Sequence, residues 1–225
     1  HNNKVLQTLI KTHLQSQCLI ALISHQNQIC HGRCDMNKFK IYDDVLKIYD
    51  DVLENHIAEL IHLHMKQVKW QYDYYSQPGQ VNKHWHVYCG ETENEVIKNG
   101  FDFVLPLWET AFHKYDFKNT YDVSEYKRIY LNAHTHGIEP HQHMDDGDFT
   151  MIYYPRLDWK TDWGGGTRVG EDLVPYVGNR LIVFSAKTPH QAMPVSRQCY
   201  ELRSVIVFKT YIGAANDERL DFYKN

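Results

Sequence analysis

The spacing of hydrophobic residues changes partway along the chain. After Lys127, apolar positions fall in short runs separated by turn residues, and no helical period appears among them. Six such runs predict β-strands: Arg128–Thr135, Phe149–Tyr154, Gly165–Val169, Arg180–Phe184, Gln191–Val195 and Leu202–Thr210. Short strands at close intervals are typical of a β-sandwich or a β-barrel. This part of the chain therefore predicts an all-β core.

The region before this core has a mixed pattern. A heptad, KIYDDVL, occurs twice in tandem over residues 40–53, and we interpret it as a local duplication. The second copy predicts a strand over Ile48–Leu53, and the apolar spacing after it predicts a helix from Glu54 to about Gln71. A further short strand is predicted at Trp85–Tyr88. The pattern of residues 91–122 does not distinguish helix from strand.

The first residues predict a separate piece. Apolar residues at helical spacing make residues 1–38 an expected N-terminal helical extension, so residues 39–225 form the main domain, with its core at about 126–211. Cys30, His31 and Cys34 could form a zinc clip, but a fourth ligand at suitable spacing is needed. A glycine turn with free thiols is the favoured interpretation.

Composition narrows the class of protein. The chain has 225 residues, 43% hydrophobic and 23% charged, with a net charge of -4, which is typical of a globular protein and gives no reason to expect nucleic acid or membrane partners. The longest apolar run is far too short to span a bilayer, and no export signal is evident. Five irregularly spaced cysteines argue against a disulfide framework. The expected compartment is the cytoplasm.

Metal-ligating residues occur in a suggestive order within the predicted core. His143 and Asp145 are two positions apart, so on an extended segment both side chains project to the same side and can hold one ion. His190 follows a later apolar strand and can complete the set from a facing strand. Two histidines and one carboxylate on one face of an octahedron are typical of iron(II) oxygenase sites. Asp146 would point the other way, whereas His141 offers an alternative three-histidine site.

Arg203 opens a strongly β-forming run thirteen residues beyond His190. An arginine at the start of a buried strand needs a partner, and its planar fork is best matched by a carboxylate. Arg197 is a competitor, but it lies in a segment that resembles a turn.

Taken together, these features resemble the iron(II)- and 2-oxoglutarate-dependent dioxygenases, and within them the prolyl 4-hydroxylase-like branch. The matching elements are His143-Met144-Asp145, Gly165-Gly166-Thr167, Gly178–Phe184, His190 with Met193-Pro194-Val195, and Arg203. The ordered set is specific, although no single element is.

The resemblance implies a mainly β protein with flanking helices, built as a double-stranded β-helix, the jelly roll that cupins share. It implies that His143, Asp145 and His190 bind iron(II), and that Arg203 pairs with the distal carboxylate of 2-oxoglutarate. Tyr130 or Asn132 would add a hydrogen bond to this co-substrate.

The implied reaction is hydroxylation of a substrate by O2 with release of succinate and CO2, with ascorbate as an accessory reductant. Because Asp145 fills the position that halogenating relatives leave for chloride, hydroxylation is favoured over halogenation. The substrate could be a prolyl-type peptide or a small molecule. The rival hypothesis is a non-enzymatic, cupin-like protein that binds a metal or a small ligand.

Overall fold

Two β-sheets and a helical layer make up the computed structural model, which describes residues 45–76 and 79–213. The strands are β1 (Leu46–Tyr49), β2 (Gln71–Tyr74), β3 (His84–Gly90), β4 (Val123–His134), β5 (Phe149–Tyr154), β6 (Thr167–Val169), β7 (Asp172–Val174), β8 (Arg180–Ser185), β9 (His190–Ala192) and β10 (Arg203–Ile212). The helices are α1 (Asn55–Gln67), α2 (Glu93–Lys98), α3 (Leu105–Lys114) and α4 (Phe117–Tyr121), with 3-10 turns at Asp102–Val104 and Thr161–Trp163.

The strand order is that of a jelly roll. The major sheet has seven strands in the order β1-β8-β5-β10-β4-β3-β2, and the minor sheet has three in the order β7-β6-β9. All pairings within both sheets are antiparallel. An isolated bridge between His143 and His190 extends the minor sheet beyond β9. The fold is the double-stranded β-helix that the resemblance implied.

The central strands of the major sheet are buried on both faces, which explains their continuous apolar runs. In β10, Ile206 and Phe208 pack on the outer face in the core shared with the helices, whereas Val205 and Val207 pack on the inner face. The neighbouring strands β5 and β8 alternate in the same way. The inner face is the one that carries the candidate site.

Helices cover the outer face of the major sheet. In α1, the residues Ala58, Ile61 and Met65 are buried at helical spacing and contribute to the outer core. Residues 91–122, which the sequence pattern did not resolve, form the three short helices α2 to α4 and the first 3-10 turn. Thr92 caps α2 by accepting a hydrogen bond from the amide of Glu95.

The strand predicted over Ile48–Leu53 is wrong after its first two residues. Strand β1 runs over Leu46–Tyr49, because Asp51 adopts the left-handed conformation, with φ of 49°, and turns the chain. Val52 and Leu53 are buried after that turn, where their amides donate to the backbone and side chain of Asn179. Their hydrophobic character reflects this packing and not strand pairing.

Other predicted elements correspond closely to the observed ones. Helix α1 begins one residue after the predicted start and ends four residues before the predicted end, and strand β5 has the predicted bounds. The expected extension at residues 1–38 and the zinc alternative at Cys30, His31 and Cys34 lie outside the described residues. Within the described part of the chain, no helix has the length and apolar character needed to cross a membrane.

Candidate metal and co-substrate site

Three potential metal ligands converge at one end of the inner face. His143 and His190 exchange backbone hydrogen bonds of 3.0 and 2.8 Å, and the amide of Asp145 donates to the carbonyl of Ala186 at 2.8 Å. This pairing holds the segment of the first two ligands against the strand of the third. One ligand atom from each of His143, Asp145 and His190 lies within 4.8 Å of the others. The three residues that the sequence singled out are therefore brought together.

Each histidine ring is oriented by the backbone carbonyl of the residue two positions before it. Nδ1 of His143 lies 3.0 Å from the carbonyl oxygen of His141, and Nδ1 of His190 lies 3.0 Å from that of Thr188. Because a carbonyl oxygen only accepts, each Nδ1 carries the hydrogen, and each Nε2 keeps its lone pair. Burial lowers the pKa of both rings to about 4, so they are neutral at pH 7. Each ring thus has the protonation state that a metal requires.

Asp145 is held as tightly as the histidines. Its Oδ1 lies 3.6 Å from Nε2 of His143, and its Oδ2 lies 3.0 Å from Nε2 of His190. The hydroxyl of Thr150 donates to Oδ2 at 2.7 Å, and the ammonium of Lys209 contacts the same oxygen. Only 11% of the Asp145 side chain is exposed. Two donors, both at Oδ2, therefore orient the Asp145 carboxylate.

The donor set fits iron(II). Two imidazole nitrogens with free lone pairs and one carboxylate are the ligands of the 2-His-1-carboxylate triad, which leaves other coordination positions open. All three side chains face the cavity, so those positions would be reached from inside the barrel.

The competing ligands are placed differently. Asp146 is bound by Arg128 and Lys127, each through an oxygen-nitrogen distance of 2.7 Å, and these cations hold the pKa of the Asp146 carboxyl far below its usual range. His141 is not in the ligand group, and its carbonyl instead orients His143.

Arg203 lies on the same inner face and is fully buried. It donates from Nε to the carbonyl of Gly165 at 2.5 Å, and from Nη2 to the carbonyl of Gly166 at 3.3 Å and the hydroxyl of Thr167 at 3.1 Å. A side chain at Gly165 would press on Trp159 at 3.1 Å and on Arg203 at 3.3 Å. The Gly-Gly-Thr element is thus the cradle of the guanidinium.

No carboxylate among the described residues pairs with Arg203. A buried cation without an anion is unfavourable, and an incoming carboxylate would compensate it. The competitor Arg197 is exposed at the surface. Of the two arginines, only Arg203 lines the cavity of the triad.

Two cavities adjoin the triad. The first is lined by all three ligands together with Arg203. The second shares His143 and Asp145 with the first and extends past Tyr74 and Arg128. A ligand in each cavity could therefore approach the same metal position.

Tyr130 and Asn132 line both cavities. The side-chain oxygen of Asn132 lies 2.7 Å from Nδ1 of His86, so His86 donates to it. The ring of Tyr130 lies 5.8 Å from both the Arg128 guanidinium and the Lys209 ammonium. Both residues therefore face the cavities of the triad, and the co-substrate contact that the resemblance implied stays a prediction.

Sequence reasoning missed three polar residues of this site: Thr150, Lys209 and His84. Lys209 is six positions from Arg203 on the same strand, so alternation places both on the inner face. Its side chain is 1% exposed, and burial together with nearby Arg128 lowers its pKa well below the usual value. The sequence offered one signal for this residue: a charged side chain at a position of β10 that faces the same side as Arg203.

A comparison with known protein families matches the segment that carries this site. The family described as the 2OG-Fe(II) oxygenase superfamily matches residues 121–209, a segment that contains the triad and Arg203. No curated protein sequence matches the chain.

Solved structures share the fold at low sequence identity. A Trichoplax adhaerens prolyl hydroxylase, solved with a peptide fragment of hypoxia inducible factor, has a TM-score of 0.51 and 17% identity over 74% of this chain and 83% of its own. A Pseudomonas putida prolyl-4-hydroxylase has a TM-score of 0.52 and 13% identity, covering 74% and 91%. The carbocyclase SnoK from nogalamycin biosynthesis has a TM-score of 0.54 and 10% identity, covering 80% and 86%.

At such identities the structural likeness establishes the jelly roll alone. The superfamily is named for iron(II) and 2-oxoglutarate, and its members are oxygenases. The donor set described above suits that metal. Residues 121–209, which contain the triad and Arg203, therefore match the 2OG-Fe(II) oxygenase superfamily.

Proposed function

We propose that this protein hydroxylates a C–H bond of a peptide or small-molecule substrate, with 2-oxoglutarate and O2 as co-substrates and succinate and CO2 as products. The observation that carries the proposal is the sharing of one cavity by the triad and a buried guanidinium that has no carboxylate partner among the described residues. A dicarboxylate with a keto group next to one carboxylate is suited to both ends of that cavity.

In this proposal, His143, Asp145 and His190 hold iron(II), and Arg203 pairs with the distal carboxylate of 2-oxoglutarate. The bound iron supplies the oxidation, in which one oxygen atom of O2 enters succinate and the other enters the substrate. The remaining steps are binding and orientation by the protein. Its fixed imidazoles and carboxylate need little rearrangement when the metal arrives.

Asn132 and Tyr130 are proposed to complete the co-substrate contacts. Asn132 lines both cavities, and its oxygen accepts a hydrogen bond from His86. Lys209 and Thr150 are proposed to position Asp145, since both contact its Oδ2 and leave Oδ1 for the metal.

The second cavity is the proposed substrate entrance. Its lining is predominantly polar and includes Tyr74, Ser76 and Arg128. The related structures include one solved with a peptide and one named as a carbocyclase, so both substrate classes remain part of the proposal.

The test is turnover of 2-oxoglutarate without added substrate. The full chain, purified with a chelator and reloaded with iron(II), should form succinate in the presence of O2, as measured by NMR. Asp145→Ala should lose this turnover, whereas Asp172→Ala, at an exposed carboxylate on β7, should retain it. Absence of iron-dependent succinate formation in the unsubstituted chain would contradict the proposal.

A further inference from the structure

A row of nitrogen-bearing side chains crosses three strands at the end of the first cavity. Arg203 on β10 pairs with His134 on β4, and the pairing of Trp85 with Ala133 places His84 on β3 next to His134. Adjacent strands are about 4.8 Å apart, so the three residues are neighbours on the same inner face. All three line the cavity of the triad.

His84 is the member of this row that has one ring nitrogen, Nε2, without a hydrogen-bond partner, although its side chain also interacts with Asn132. Its residue exposure is 6%, and its Nε2 is buried without a hydrogen bond. Within the described part of the chain, the other such buried side-chain nitrogen is Nε2 of His141, which does not line this cavity. A buried polar atom without a partner is unfavourable by an amount comparable to a lost hydrogen bond. A ligand that provides an acceptor would remove that penalty.

The other two members of the row are already engaged. His134 donates from Nε2 to the carbonyl of Met193 at 3.2 Å, and Arg203 donates to the Gly165–Thr167 cradle. At this end of the cavity, Nε2 of His84 is therefore available to form a hydrogen bond with a ligand.

We propose that His84 is a co-substrate-binding residue that donates a hydrogen bond from Nε2 to a carboxylate oxygen of 2-oxoglutarate. This inference rests on the proposed function. It assigns a contact on β3, a strand that contributes neither the triad nor Arg203, so that the co-substrate is held from both sides of β4.

The electrostatics of the ring agree with this role. The pKa of His84 is lowered to about 4, chiefly by burial, with smaller contributions from His86, His143 and Arg203, and a hydrogen bond with Asn132 opposes this shift. The ring is therefore neutral at pH 7 and carries one N–H. His84 lines the same cavity as His143 and Arg203, and that cavity is the space that 2-oxoglutarate would occupy.

The experiment measures binding of 2-oxoglutarate to the full chain by isothermal titration calorimetry. Mn(II), which does not turn over, replaces iron, and no substrate is added. His84→Phe removes the donor but keeps an aromatic ring, and His84→Gln restores a donor near the position of Nε2. His64→Phe, at an exposed ring of α1 stacked on Phe103, is the matched control.

We expect His84→Phe to weaken 2-oxoglutarate binding by about tenfold to a hundredfold, the range for loss of a hydrogen bond to a charged group. Mn(II) affinity, measured in the same preparation, should stay unchanged, and His84→Gln should recover most of the loss. His64→Phe should bind as the unsubstituted chain does.

Other outcomes separate the two hypotheses. Equal 2-oxoglutarate affinities in His84→Phe and the unsubstituted chain would overturn the role of His84 and leave the proposed function standing. If the unsubstituted chain with Mn(II) does not bind 2-oxoglutarate, the proposed function itself fails. If His84→Phe loses Mn(II) as well, His84→Gln and His84→Asn are compared in preparations that retain Mn(II). Weaker 2-oxoglutarate binding by His84→Asn, the shorter donor, than by His84→Gln supports the role, and equal binding overturns it.

Discussion

Replacing Arg203 by methionine tests the co-substrate site most directly, because the structure sets opposite expectations for binding and for stability. Methionine keeps an unbranched side chain and removes the charge. A bound 2-oxoglutarate would then have a buried carboxylate without its cation, and breaking a buried ion pair in this way costs about 3–5 kcal/mol. The affinity for 2-oxoglutarate should therefore fall by about two to four orders of magnitude.

The stability of the ligand-free protein should change much less. Arg203 makes three hydrogen bonds, to the Gly165 and Gly166 carbonyls and to Thr167, and their loss costs roughly 1 kcal/mol each. Arg203 has no carboxylate partner among the described residues, so removing its buried charge also removes a desolvation cost of several kcal/mol and stabilises the folded state. These effects oppose each other, so we expect the free energy of unfolding to change by no more than about 2 kcal/mol.

Thermal unfolding with Mn(II) measures both effects in one assay. At a 2-oxoglutarate concentration of about 100 times Kd, the unsubstituted chain should gain about 2.7 kcal/mol, which raises Tm by roughly 5–10 °C for a domain of this size. Arg203→Met should show no such rise at that concentration, whereas Arg197→Met, at an exposed site, should show all of it. A normal rise in Arg203→Met would refute the reasoning, and loss of the rise in Arg197→Met alone would identify the other arginine.

Three further predictions concern the metal site and its surroundings. Asp145→Ala should abolish tight Mn(II) binding measured by electron paramagnetic resonance, and retention of affinity within threefold of the unsubstituted chain would exclude it as a ligand. Lys209→Met should destabilise the metal-free chain by about 3–5 kcal/mol, because Asp145 loses its buried cation. Bound Mn(II) would replace that charge, so Mn(II) should raise the Tm of Lys209→Met more than that of the unsubstituted chain. Equal rises in Tm would be inconsistent with this account. The free energy of unfolding of the metal-free chain should fall as pH drops from about 6.5 to 4, by about 1.4 kcal/mol per pH unit for each of His84, His143 and His190. These rings stay neutral in the folded state, with pKa values of about 4, but become protonated in the unfolded chain near pH 6.5, and denaturant titrations showing no loss between pH 6.5 and 4.5 would contradict the prediction.

The strands that carry the site were predictable because their patterns are local. Strand β5 was predicted with its observed bounds, and β10 was predicted to within two residues at its end. Residues 91–122 were not, because their three short helices are stabilised by packing against the sheet and carry little periodicity of their own. Likewise, Val52 and Leu53 look like strand residues in the sequence, but they are buried beyond a left-handed turn at Asp51.

The sequence by itself determined the local chemistry of the site. The two-residue spacing of His143 and Asp145 sets both on one side of an extended segment, and the turn-like surroundings of Arg197 favoured Arg203 over it. These inferences need only the alternation of side chains along one strand.

Only the tertiary structure decided which distant groups meet. The strand register places His84 beside His134 and Arg203, and it brings Lys209 to Asp145 across 64 positions of the chain. Whether a buried charge is compensated depends on every element packed around it, and these are set by long-range pairing that no local pattern encodes. The alternation within β10 could place Arg203 and Lys209 on one face, but only the folded barrel shows that one of them already contacts a carboxylate while the other meets none among the described residues.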